Sequence, residues 1–171
     1  RVIVKDHVAI NSKIGLFYYD QANAALNPSM KQFWKLQGKS YAWSGDMYSW
    51  MDEYEIAERR IRKSLELLSD TGWEAQLNGQ RLARVLIRLG KFDGAFEILE
   101  QTAQAAVLQS PVSRVRNDWI FSALFLASGD QAKGIEFALK AAKVSKVIGA
   151  MAHYIIIQNI LARHNLPPSI L

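Results

Sequence analysis

Apolar residues in this chain recur at intervals of three and four and never alternate. Leu82, Leu86 and Leu89 are spaced four and three apart, as are Ile61, Leu65 and Leu68. Such spacing puts side chains on one face of an α-helix; a half-buried strand needs a period of two, which no six-residue stretch here shows. Glycine and proline punctuate the periodic stretches, at Pro28, Gly45, Gly72, Gly90, Pro111, Gly129 and Pro167-Pro168. The pattern predicts an all-α chain with helices near 6–26, 30–44, 46–69, 73–89, 92–109, 113–128, 131–146 and 148–164. Short connections join antiparallel neighbours, so the expected fold is a run of helical hairpins.

Bulk properties narrow the function classes. The chain has 171 residues, of which 50% are hydrophobic and 22% charged, enough to bury a core and too apolar for disorder. No apolar run approaches the roughly 18 residues that span a bilayer, and no secretory leader pattern is present. With no cysteine, disulfides, thiolate metal sites and cysteine nucleophiles are excluded. The chain opens Arg1-Val2-Ile3 without methionine and is read as a cytoplasmic domain taken from a longer protein. The formal net charge of +5 favours acidic partners over basic ones.

Three glycines invite comparison. Ser44-Gly45-Asp46, Leu89-Gly90-Lys91 and Ser128-Gly129-Asp130 each separate two helical patterns, and glycine after a helix suits a left-handed cap. Seven residues upstream stand the small residues Gly38, Ala83 and Ser122; four upstream stand Tyr41, Leu86 and Phe125. Twelve downstream stand Ala57, Thr102 and Ala141.

With Trp34, Gly38 and Tyr41 in the first unit, and Leu82, Ala83, Gly90, Phe92, Ala95 and Leu99 in the second, the pattern resembles a degenerate tetratricopeptide repeat (TPR). The resemblance implies a right-handed α-solenoid in one domain, 1–171. Its units are 31–72, 73–111 and 112–148, with an N-terminal helix and a C-terminal capping helix. It departs from the family at Gln37, where leucine is usual, and in its spacings of 45 and 39 residues between glycines. Trp50 stands where a small residue is expected, so either the repeat is distorted there or its register in that unit is displaced.

In such repeats the first helices of successive units line a concave, partner-binding groove. The resemblance assigns to it Lys35 and Lys39 of the first unit, Gln80, Arg84 and Arg88 of the second, and Arg116 and Trp119 of the third. Arg81, Arg84 and Arg88 also share one helical face by spacing alone, with no carboxylate between Gln76 and Lys91. Arginine takes carboxylates through two parallel hydrogen bonds, and tryptophan supplies an apolar anchor. The expected partner is another protein or an acidic peptide. Two other basic stretches, Arg59–Lys63 and Lys133–Lys146, read as solvated faces, with Glu55–Arg59 and Glu58–Arg62 placed for i,i+4 pairs.

Chemistry is not signalled. His7, His153 and His164 lack a second ligand at metal spacing on a helix face. No phosphate loop, nucleophile elbow or dinucleotide fingerprint occurs. The expectation is a binding module without catalysis, cofactor or metal, and no membrane span. Two alternatives stay open: an effector- or peptide-sensing domain of a transcription regulator, and a nucleic-acid-binding helical repeat, which the mild charge disfavours. The run Ile155–Ile157 exceeds one stripe and leaves self-association open.

Overall fold

The computed structural model describes residues 13–21, 24, 34–68, 72–106 and 110–166; His7, Pro28, Pro167 and Pro168 lie outside these. Among the described residues there are eight helices and no strand. They are α1 (13–21), α2 (Trp34–Trp50), α3 (Tyr54–Leu68), α4 (Trp73–Arg88), α5 (Phe92–Ala106), α6 (Pro111–Ser128), α7 (Gln131–Val147) and α8 (Met151–Arg163). None is long and apolar enough to cross a membrane. The chain forms two compact units, Arg1–Val85 and Leu86–Leu171, and the division falls within α4.

In the first unit α2 packs along α3. The helix break expected at Gly45 does not occur, because α2 runs unbroken from Trp34 to Trp50. Gly38 and Gly45 serve helix contact instead. A Cβ on Gly38 would sit 2.5 Å from Leu68 Cγ, and one on Gly45 would sit 2.5 Å from Ile61 Cγ1. Each glycine costs a helix about 1 kcal/mol relative to alanine. The close approach offsets this, since burying Ile61 and Leu68 is worth about 1.5–3 kcal/mol apiece.

The turn falls at Asp52, whose φ is 64°. There the Glu53 N–H donates to Tyr48 O at 3.0 Å and the Asp52 N–H to Ser49 O at 3.4 Å. At Gly90, φ 70°, the Lys91 N–H donates to Leu86 O at 2.9 Å and the Gly90 N–H to Ile87 O at 3.1 Å. Both are the paired carbonyl caps of a left-handed helix stop. Asp52 therefore corresponds to Gly90 and Gly129, and Gly45 does not. Counted this way the spacings become 38 and 39 residues. Seven before each turn stand Gly45, Ala83 and Ser122; five after stand Ala57, Ala95 and Gly134; nine after stand Ile61, Leu99 and Ala138. Twelve after stand Ser64, Thr102 and Ala141, and all twelve of these positions are buried. Trp50 is the last residue of α2.

On α3, Glu58 and Arg62 form one of the two expected pairs, at 2.9 Å. Arg60 turns the other way. It binds Asp20 at 2.9 Å and lies 5.6 Å and 5.7 Å from the ring centroids of Tyr41 and Tyr48.

In the second unit α6 packs against α5, α7 and α8. Ser110 caps it by accepting from the Ser113 N–H at 3.2 Å, Pro111 takes the first turn, and Gly129 at φ 96° ends it. Its buried side chains include Val115, Ile120 and Leu124, which share the core with Leu99, Ala138, Ile157 and Leu161. Thr102 Oγ1 donates to Asn117 Oδ1 at 2.7 Å, and Asn117 Nδ2 donates to Leu99 O at 3.1 Å. Of the lysine stripe, Lys133 pairs with Asp130 at 3.4 Å and Lys140 with Asp118 at 2.9 Å. Burial raises the Asp118 carboxyl above its ordinary value, and the Lys140 hydrogen bond works against that.

A candidate partner-binding cleft

Within the first unit, a chain of hydrogen bonds joins three helices. Ser64 Oγ of α3 accepts from Asn78 Nδ2 of α4 at 2.9 Å, and Asn78 Oδ1 accepts from an Arg81 NH1 at 2.8 Å. Arg81 Nε then reaches Asp46 Oδ2 of α2 at 2.6 Å. The Ser64–Asn78 bond repeats Thr102–Asn117 in the second unit: each hydroxyl lies twelve residues after a turn, each asparagine twelve before the next. α4 has no ion partner of its own near Arg81, as its sequence indicates; the carboxylate arrives from α2.

This network holds one side of a cleft of about 190 Å³. Trp43, Trp73 and Leu77 give it apolar walls, and Lys39, Glu74 and Arg81 its charged ones. Lys39 Nζ binds Glu74 Oε1 at 2.7 Å, and the Arg81 guanidinium lies 5.0 Å from the Trp43 ring centroid. Both cations that line the cleft are thus neutralised from within the unit. The indoles are not covered: Trp43 is 46% exposed and Trp73 61% exposed. For a side chain as large as tryptophan that is unusual unless it meets something outside its own fold.

The seven residues assigned to the groove from sequence sit in varied environments. Lys35 is exposed, with its ammonium 5.3 Å from the Trp34 ring. Lys39 lines the cleft. Gln80 is 1% exposed and lies inside the unit. Arg84 is half-buried. Burial pushes its guanidinium below the ordinary arginine value, Asp46 counters that, and Arg81 adds to it. Arginine stays protonated in proteins, so Arg84 is still a cation at neutral pH. Arg88, Arg116 and Trp119 belong to the second unit. Arg88 is exposed in the last turn of α4, and Arg116 is half-buried on α6. Trp119 is 8% exposed, and its indole Nε1 is buried without a hydrogen-bond partner among the described residues.

Sequence reasoning missed Trp43, Asp46, Trp73, Glu74 and Asn78. One signal was present for Trp43. Leu36, Trp43 and Trp50 recur every seven residues along α2, and all three are exposed, at 54%, 46% and 51%. Gly38 and Gly45 have the same period two positions on, which is 200° around the helix. α2 therefore carries a buried glycine seam against α3 and an exposed apolar seam on the opposite side.

Among the described residues no cluster of histidines and carboxylates is arranged to hold a metal ion. Searched against protein-family models the chain matches none, and no curated protein matches its sequence.

Proposed function

We propose that this chain is a TPR-like helical-repeat module that docks a protein or peptide partner and does no chemistry itself. The observation that carries the reading is the cleft between Trp43 and Trp73. Two exposed indoles face a space whose lining charges are already paired, so an entering apolar side chain gains burial without stripping water from a lone ion. The 38- and 39-residue spacing of the helix stops supports a repeat architecture, in which units stack and one helix of each faces the partner.

A displayed peptide library panned in parallel on the wild-type chain and on a Trp73→Ser variant tests this. Trp73 is mostly exposed, so the variant keeps its fold, to be checked by its helical circular dichroism. Sequences enriched on the wild type and lost on the variant support the reading. Equal enrichment on both, or retention of generic RNA with a steep salt dependence, sinks it.

A further inference from the structure

We infer that α8 is the opening helix of a fourth repeat unit, and that its open face pairs with α8 of a second copy of this chain, antiparallel about a two-fold axis. This surface is distinct from the cleft. α8 stops at Asn165, whose φ is 58°. There the Leu166 N–H donates to Leu161 O at 3.0 Å and the Asn165 N–H to Ala162 O at 3.2 Å, the same pair of caps found at Asp52 and Gly90. The stop lies 36 residues after Gly129, close to the earlier intervals of 38 and 39. Twelve before it stands His153, in the place of Asn78 and Asn117. Twelve after Gly129 stands Ala141, in the place of Ser64 and Thr102. Ala141 has no hydroxyl to meet the buried His153 Nε2, which is unpartnered among the described residues.

In the hairpins α2–α3 and α6–α7, the residues fourteen, ten and seven before the stop are buried: Gly38, Ala42 and Gly45 on α2, and Val115, Trp119 and Ser122 on α6. This is the row that the second helix covers. There large meets small: a Cβ on Gly38 would strike Leu68, one on Gly45 would strike Ile61, and one on Gly134 would strike Leu126. On α8 the same three positions are Met151, Ile155 and Gln158, and Met151 and Ile155 are each more than half exposed. With exposed Ala162, three before the stop, they form a row spaced four, three and four. That spacing reads the same in both directions. A reversed copy therefore sets Met151 against Ala162 and Ile155 against Gln158, again large against smaller, and does so twice. Between Lys146 and Arg163 the chain has no Asp, Glu, Lys or Arg, so no such charge faces its own image across the axis. A hairpin cover is antiparallel to the helix it covers, and a two-fold axis across α8 supplies that orientation.

One short helix per copy buries less than the roughly 800 Å² per partner of a standard interface, so the dimer forms only at high protein concentration. The test is sedimentation of the chain across a concentration series up to about 1 mM. The expected result is a monomer–dimer equilibrium that Ile155→Glu weakens at least tenfold, with helical circular dichroism unchanged because the residue is exposed. The register is read by cross-linking, which the absence of native cysteine makes specific. Met151→Cys mixed with Ala162→Cys is expected to form disulfide-linked pairs at least tenfold faster than either protein alone, because a disulfide needs Cα atoms within about 7 Å. Equal linking of either variant with itself overturns the antiparallel pairing. A chain still monomeric at the highest concentration overturns the inference, and so does a dimer indifferent to Ile155→Glu. Loss of such a dimer on Trp43→Ser places the contact at the cleft instead. A synthetic peptide of α7, residues 131–147, probes for a different occupant. If it shifts the Met151 methyl signal of a chain that does not self-associate, the face takes a separate second helix and the second copy is overturned.

Discussion

Arg81 Nε of α4 lies 2.6 Å from Asp46 Oδ2 of α2, and both side chains are almost closed off from solvent, at 12% and 10% exposure. Asp46 is also the attractive charge acting on Arg84, one turn further along α4. One carboxylate thus serves two guanidiniums. Removing one partner of a buried pair costs about 3 kcal/mol or more, because the other charge is left without compensation. Asp46→Ala is expected to destabilise the chain by about that much. Arg84→Gln alone changes stability by less than about 1 kcal/mol, because no hydrogen bond is lost. In the Asp46→Ala background the same Arg84→Gln change restores part of the loss by relieving repulsion with Arg81. Urea unfolding of the four proteins measures the coupling, and a cycle that sums to zero refutes the shared carboxylate.

The two kinds of glycine in these helices predict opposite outcomes for the same substitution. A Cβ at Gly45 meets Ile61 Cγ1 at 2.5 Å and the Ala57 carbonyl oxygen at 3.3 Å. One at Gly94, in α5, meets only Leu86 Cδ1 at 3.7 Å, an ordinary contact. Gly45→Ala is expected to cost about 1–3 kcal/mol through overpacking, in excess of its gain in helix propensity. Gly94→Ala is expected to stabilise by up to about 1 kcal/mol, since it gains propensity and displaces nothing. Thermal melts of the two variants should move in opposite directions.

His153 makes stability depend on pH. Its Nε2 is buried without a hydrogen-bond partner among the described residues. Burial, and then the charge of Arg116, hold the imidazole below the ordinary histidine value. The unfolded chain therefore takes up a proton near pH 6.5, while the folded chain does so only at lower pH. The neutral ring's contribution is complete above about pH 6.5 and declines as the pH falls towards the folded-state value, below which it is flat. Denaturant midpoints measured from pH 7.5 down to pH 5 should fall less steeply for His153→Gln than for the wild type. Parallel curves would show that the ring is not held neutral by the fold.

Much of this molecule was legible before its structure. The three-and-four spacing of Leu82, Leu86 and Leu89 placed α4 with its start correct and its end one residue long, Trp73–Arg88 against 73–89. Expected from 113, α6 starts two residues earlier at Pro111, because Ser110 caps it and the fixed φ of Pro111 suits a first helical position. The first hairpin was misread for a physical reason. Seven residues are nearly two full helical turns, so shifting the register from Gly38 to Gly45 leaves every face almost unchanged. Only the turn separates the two registers, and there the left-handed residue is an aspartate. The cleft was hidden for a different reason. Arg81 and Asp46 are 35 positions apart in sequence, and nothing local in either helix announces that they meet. The groove positions carried over from the repeat family stressed cations, whereas the exposed surface of α2 is marked by its indoles.

Asp52 allows that account of the misread turn to be tested. It is the residue at which α2 stops, with φ 64°, where Gly90 and Gly129 have 70° and 96°. A left-handed φ crowds the Cβ of an L-residue against its own carbonyl, at a cost of roughly 1 kcal/mol that glycine does not incur. Aspartate bears this better than most residues because its short polar side chain bonds locally, and here its carboxylate accepts from the Tyr54 hydroxyl. That bond is exposed and worth little. Asp52→Gly is therefore expected to stabilise the chain by about 0.5–1 kcal/mol, while Asp52→Val should destabilise it by more than 1 kcal/mol, since a β-branched residue is poorly tolerated there. Gly90→Asp, the reciprocal exchange at the corresponding position, should lose about what Asp52→Gly gains. Chemical denaturation of the three variants checks the ordering. If Asp52→Gly is destabilising, Asp52 is not the counterpart of Gly90, and the 38-residue spacing between them loses its structural meaning.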